Sequence, residues 1–193
     1  ATPQHLPIAP LRGFDSSLGY FNHANDLWNY TIGFSSTGRP PPCAPQNPHI
    51  VDLFFNKGSV KASSYYNCTF ANLDRACKFE EDVFTDRALE VIESHDLRKP
   101  LFLWYSSHQA HTPFQNPDVY LERIADLCGN SSSNAEFRGQ CAILERQRYL
   151  ASIMQFDDNV GKLITSLKRR GMYENTLILV LADNGGPIGQ STG

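Results

Sequence analysis

The apolar run TLILVLA, residues 176–182, gives way at once to Asp183-Asn184-Gly185-Gly186. A carboxylate beside a carboxamide offers oxygen donors only, a set that suits a hard cation such as calcium or magnesium rather than zinc. Calcium takes about six to eight oxygens, so two side chains make part of a site and the other ligands must come from elsewhere. All four residues also favour turns, and a plain turn is the competing reading. A second polar cluster, Ser106, Ser107, His108 and His111, follows the apolar and aromatic run LFLWY. Pro113 biases Thr112 towards extended backbone and stiffens the loop that carries His111. A histidine held on such a loop can deliver a proton or bind an anion, or it can simply make a loop hydrogen bond. His108 has nothing in its surroundings to fix its direction. His5 and His23 lie in irregular sequence, and His95 closes a helical stretch where a partly charged ring suits the dipole. Asp157 and Asp158 are neighbours within a helical pattern and point in different directions, so they do not make a paired-carboxylate site. No G-x-S-x-G, P-loop or G-x-G-x-x-G occurs, which removes the residues that hydrolase-elbow and nucleotide-binding readings need.

Both clusters stand at the carboxyl ends of strand-like runs, where open α/β sheets bind ligands. The run at 101–106 is nearly continuous in apolar and aromatic residues, as buried parallel strands are, and so is the run at 176–182. Ahead of the first, EEDVFTDRALEVIESHD places Val83, Phe84, Ala88, Val91 and Ile92 at helical spacing behind an acidic first turn. Ahead of the second, a helix is predicted from about Glu145 to Arg170, with Ile153, Phe156, Val160, Leu163, Ile164 and Leu167 as its apolar face. Gly171 suits the left-handed position that ends such a helix, and the basic Lys168-Arg169-Arg170 suits its last turn. Helix, strand, loop, helix, strand is the order of a layered α/β domain over residues 76–193. Residues 1–75 read as irregular and loop-rich. Three prolines at 40–42 forbid helix there, and Ile50 to Phe55 is a short strand with Asn56-Lys57-Gly58 as its turn.

The 193 residues are 41% hydrophobic and 19% charged, enough apolar matter for a core and too much for disorder. A formal net charge of -3 gives no basic excess for a nucleic-acid partner, and no apolar run reaches the length of a membrane span. Neither end has the form of a natural terminus, so a piece of a longer protein or a processed product is the expectation. Five cysteines occur without a C-x-x-C pair, which favours disulfides over zinc. Cys128 and Cys141 bracket the polar stretch GNSSSNAEFRGQ, and Cys68 and Cys77 enclose a shorter segment, leaving Cys43 over. Asn29, Asn67 and Asn130 each begin a glycosylation triplet. Cysteines and triplets together tilt towards the secretory route.

In order, these clusters and the segments between them resemble the sulfatase family, formylglycine-dependent sulfate ester hydrolases of the arylsulfatase type within the alkaline phosphatase superfamily. RGFDSSLGYFNHANDLWN is similar to the family's Arg-Gly-Phe-Asp segment, and KPLFLWYSSHQAHTPFQNPDVYL to its strand and His-x-Pro loop. RYLASIMQFDDNVGKLITSLKRRGMYENTLILVLADNGG, the most specific stretch, is similar to its helix, its G-x-x-x-N-T turn and its metal-binding Asp-Asn. The resemblance spans most of residues 11–186, with 31–76 and 128–142 as variable insertions.

The resemblance implies that residues 1–193 are part of a catalytic domain, an incomplete layered mixed sheet with helices on both faces. It implies that Asp183 and Asn184 are calcium ligands, and that His111 contacts the sulfate group and assists departure of the alcohol. The family's nucleophile, a cysteine of Cys-x-Pro-x-Arg oxidised to formylglycine by a formylglycine-generating enzyme, has no counterpart in the 193 residues. That motif, an aspartate pair and one catalytic lysine are expected before Ala1, and a second lysine after Gly193, so these residues are expected to be inactive alone. The implied substrate is a sulfated small molecule or glycan, in an extracellular or lysosome-like setting. Two other classes carry the same residues: a metal-dependent phosphoesterase or phosphonate hydrolase, and a non-catalytic sulfatase-like binding protein.

Overall fold

The computed structural model describes residues 13–20, 25–28, 30, 53–57, 63–64, 78–112, 114–130, 141 and 143–185. The chain divides into two compact units, Ala1–Glu80 and Glu81–Gly193.

In the first unit, β1 (Ser16–Tyr20), β2 (Leu53–Lys57) and β3 (Ser63–Ser64) form an antiparallel sheet in the order β1-β2-β3. Ser16 lies opposite Lys57 and Tyr20 opposite Leu53, while Phe55 pairs with Ser63. This sheet sits inside the segment read as irregular. Its middle strand runs on through Asn56 and Lys57, two residues read as a turn, because β1 offers both of them ladder partners. Leu53 and Tyr30 are fully buried, and the Tyr30 hydroxyl donates to the Lys78 carbonyl. Tyr20 donates to the buried Glu80 carboxylate at 2.6 Å, and Trp28 meets Phe79 edge to face at 5.0 Å.

Helix α1 (Glu80–Ser94) starts at the division, as its acidic first turn and helical spacing predict. Glu81, Thr85, Ala88 and Ile92 share one buried face. Helix α2 (Asp118–Asn130) falls where the sequence was read as loop. Tyr120, Ile124 and Cys128 recur every fourth residue, so they lie one above another and pack with Ala151, Leu150 and Met154 of α3 (Leu144–Arg169). Helix α3 ends as predicted at Gly171, with φ +67°. The Gly171 amide bonds the Lys168 carbonyl at 3.0 Å and the Met172 amide bonds that of Leu167 at 2.9 Å, which satisfies two carbonyls at the helix end.

Two sequence expectations change. The fully buried residues of α3 are Ala151, Ser152, Gln155, Asn159, Ser166 and Leu167, so only Leu167 of the expected apolar face is among them. A polar stripe makes the close contacts because it meets hydrogen-bonding partners on α1 and on the loop at 105–111. The runs at 101–106 and 176–182, expected as strands, have no regular secondary structure and join no ladder, since among the described residues no strand lies beside either. Phe102, Trp104, Leu177 and Leu181 are consequently exposed. No helix among the described residues is long and apolar enough to cross a membrane.

Candidate functional site

The run at 101–106 delivers a polar loop that two helices hold. At its end the Tyr105 hydroxyl donates to Glu81 Oε1 and lies 2.9 Å from Thr85 Oγ1. Burial first, and then the Glu81 charge, push the Tyr105 phenol well above its ordinary range, so it stays a donor. The other carboxylate oxygen, Glu81 Oε2, accepts from the His108 amide at 3.3 Å. From α3, Ser152 Oγ accepts from the Ala110 amide at 3.3 Å, and Gln155 Oε1 accepts from Gln109 Nε2 at 3.3 Å. Gln155 donates in turn to Asp82 Oδ1 at 3.2 Å, which joins α3 to α1 through one buried carboxamide.

A turn closes on His111, whose amide donates to the His108 carbonyl at 3.3 Å. Its third residue, Ala110, has φ +67°, a conformation usually supplied by glycine. His111 is exposed, and its Nδ1 lies 2.6 Å from the Thr112 carbonyl. A carbonyl only accepts, so Nδ1 carries the hydrogen and Nε2 is the ring nitrogen left for another partner. His108, which had no evident anchor in the sequence, meets Phe84 edge to face at 5.7 Å.

At the end of the run at 176–182, Asp183 Oδ1 accepts from the Asn184 amide at 2.8 Å, and Asn184 Nδ2 donates to the Gly185 carbonyl at 2.9 Å. The second carboxylate oxygen of Asp183 and the amide oxygen of Asn184 are not engaged in these bonds, and both residues are exposed. That donor set fits a hard cation by its chemistry and fills part of a coordination shell. Among the described residues, no group of three or more His, Cys, Asp or Glu side chains could hold a metal, and no hydrogen bond joins His111 to Asp183 or Asn184.

Cys128 and Cys141 form a disulfide with Cα atoms 5.7 Å apart. Cys68, Cys77, Asn29 and Asn67 lie outside the described residues, as does the side chain of Asn130 at the end of α2. The sequence reading missed Glu81, Ser152 and Gln155 as residues of the site. The signal present was a set of polar residues, 152, 155, 159 and 166, recurring at helical spacing.

A family model described as Sulfatase matches residues 9–193. Arylsulfatase J of Mus musculus is 26% identical over 202 residues, covering 95% of this chain and 30% of that protein. The uncharacterized sulfatase YdeN of Escherichia coli (strain K12) is 30% identical over 167 residues, covering 85% of this chain and 24% of its own. The chain therefore spans less than a third of the length of these curated relatives. The crystal structure of Ps i-CgsB in complex with k-i-k-neocarrahexaose is similar over 100% of this chain and 37% of its own, with a TM-score of 0.66 at 21% identity. That likeness shows a shared fold, an α/β arrangement of which this chain holds a part. With the family model matching nearly end to end, the chain belongs to the sulfatase family.

Proposed function

We propose that the intact protein hydrolyses sulfuric esters and that this chain contributes the proton-handling and part of the cation-holding side of the site. The observation that carries the reading is the sulfatase match over residues 9–193. Asp183 and Asn184 would hold calcium, with magnesium second, through oxygens at the end of the apolar run at 176–182. When bound, such a cation offsets charge on the sulfate oxygens, and a formylglycine outside these residues supplies the attacking hydroxyl. The role of His111 follows from its own geometry. With Nδ1 tied to the Thr112 carbonyl, the protonated ring presents Nε2–H, and that proton passes to the departing alcohol oxygen as the ester bond to sulfur breaks.

The substrate would be a sulfated small molecule or glycan, and a formylglycine-generating enzyme would act on the intact protein. A secretory, extracellular or lysosome-like setting is supported by the Cys128–Cys141 disulfide and three glycosylation triplets.

The test is turnover of an aryl sulfate by the full-length protein, with His111→Ala and Asp183→Ala beside the parent. His111→Ala should lower kcat by roughly 10² to 10⁴ while the circular dichroism spectrum is retained. Asp183→Ala should weaken calcium binding, measured by titration calorimetry. Preference for an aryl phosphate or phosphonate would replace the reading with a phosphoesterase. Binding of sulfated glycans without turnover would replace it with a binding protein.

A further inference from the structure

The loop that carries His111 is gripped from both sides, by residues of α1 and α3. Glu81 is a buried carboxylate on α1, 1% exposed. It accepts from the Tyr105 hydroxyl on one side of Ser106-Ser107 and from the His108 amide on the other. Across the loop, the buried Ser152 hydroxyl accepts from the amide of Ala110, the residue next to His111. Ser152 is itself oriented, because its hydroxyl donates to the Tyr149 carbonyl at 2.7 Å. Buried Gln155 takes the Gln109 carboxamide and is held by Asp82. Successive residues 108, 109 and 110 are thus each bonded to a helix.

The backbone that these bonds hold is not one that alanine prefers. Ala110 at φ +67° sits in the left-handed region, where its Cβ crowds the following carbonyl. Contacts that persist around such a conformation over-determine it, and here they fix where the chain leaves the turn towards His111.

We propose that Glu81 and Ser152 are positioning residues, a two-sided clamp that sets the direction of the His111 ring at the ester oxygen. This rests on the reading of His111 as the proton donor. The clamp touches neither substrate nor cation; it acts through the 108–110 backbone. A positioning role of this kind moves kcat more than KM, because a misdirected acid fails mainly in the transition state.

The experiment is a double-mutant cycle in the full-length protein on an aryl sulfate, read beside amide hydrogen exchange. Glu81→Gln places a carboxamide where two donors need acceptors, and Ser152→Ala removes the acceptor for Ala110; the second variant keeps the test usable if the first fails to fold. Each should lower kcat roughly 10- to 100-fold with a smaller change in KM. Each should also speed exchange at the His108 or Ala110 amide. In a His111→Ala background, neither should lower turnover further, because a clamp acting through the ring has nothing left to direct. An equal fold-loss in both backgrounds, or unchanged kcat in both variants, overturns the clamp. If His111→Ala itself retains parental turnover, the proton-donor reading fails and takes the catalytic role of the clamp with it. Exchange at the two amides then tells whether the grip on the loop exists.

Discussion

Asp158 shows how one carboxylate can serve packing rather than chemistry. It stands on α3 with Arg123 of α2 at 2.5 Å, and the guanidinium lies 5.3 Å from the Tyr120 ring centre. The Arg123 hydrogen bond, ahead of its charge, lowers the Asp158 carboxyl below its ordinary range. Burial and the Asp158 charge push the Tyr120 phenol up to about 12. A carboxylate whose folded pKa is lowered stabilises the fold above its unfolded value, near 4, and that contribution fades as pH falls through the folded value. Side-chain exposures of 45% for Arg123 and 34% for Asp158 leave the pair well solvated. Asp158→Asn should therefore cost only about 0.5 kcal/mol at neutral pH. Urea midpoints at pH 7 and near pH 3 check this: the variant should trail the parent at the first and by less at the second, because protonation of the folded carboxyl has begun to remove the contribution. An equal gap at both would mean that the pair does not act through ionisation. In the sequence, the adjacent acids 157 and 158 were readable as pointing apart, but the partner of one of them was not, because Arg123 belongs to a helix that had been read as loop.

That helix, α2, marks the boundary of what was legible at the scale of elements. Helices α1 and α3 carry long apolar patterns with acidic starts and, for α3, a glycine stop, and local chemistry of that kind needs no knowledge of neighbours. Helix α2 has its own stripe in Tyr120, Ile124 and Cys128, but it follows the polar stretch HQAHTPFQNP, whose turn residues outweighed the shorter period. Helix α3 was legible as a helix and not in the face it buries. Apolar spacing identifies a face, whereas the fully buried face here is chosen by Asp82, Gln109 and the Ala110 amide as hydrogen-bonding partners. The same held for the loop at 105–111, whose polar composition was readable and whose hydrogen-bonding partners on α1 and α3 were not. The Cys128–Cys141 disulfide ties the end of α2 to the chain just ahead of α3, across 13 residues of sequence. Closing a loop of that length should stabilise the fold by about 3 kcal/mol through the unfolded chain. Reduction under native conditions, or Cys141→Ser, should lower the urea midpoint by a corresponding amount without changing the helical circular dichroism. An unchanged midpoint would place the cross-link outside the cooperative unit.

At the scale of the whole molecule, the two apolar runs set the argument. Their composition made them readable as buried strands, and burial is the part that composition could not deliver, because it belongs to whatever lies alongside. Here Trp104 is 72% exposed and Leu177 and Leu181 are each 83% exposed. Covering one such side chain is worth about 1.5 to 3 kcal/mol, so these runs favour association with any complementary apolar or edge-pairing surface. The 193-residue chain by itself should bind a hydrophobic dye such as ANS and self-associate as its concentration rises, seen by analytical ultracentrifugation. Leu177→Lys with Leu181→Lys should weaken both effects, since two charges on one run oppose stacking and edge pairing alike. The same pair of changes introduced into the full-length protein separates two situations. If other parts of that protein cover the run, burying two ammonium groups should destabilise it by several kcal/mol. If the run is open to water there as well, stability should stay within about 0.5 kcal/mol of the parent. A monomeric, dye-silent 193-residue chain would sink the premise that these runs face solvent, and with it the reason to expect either result.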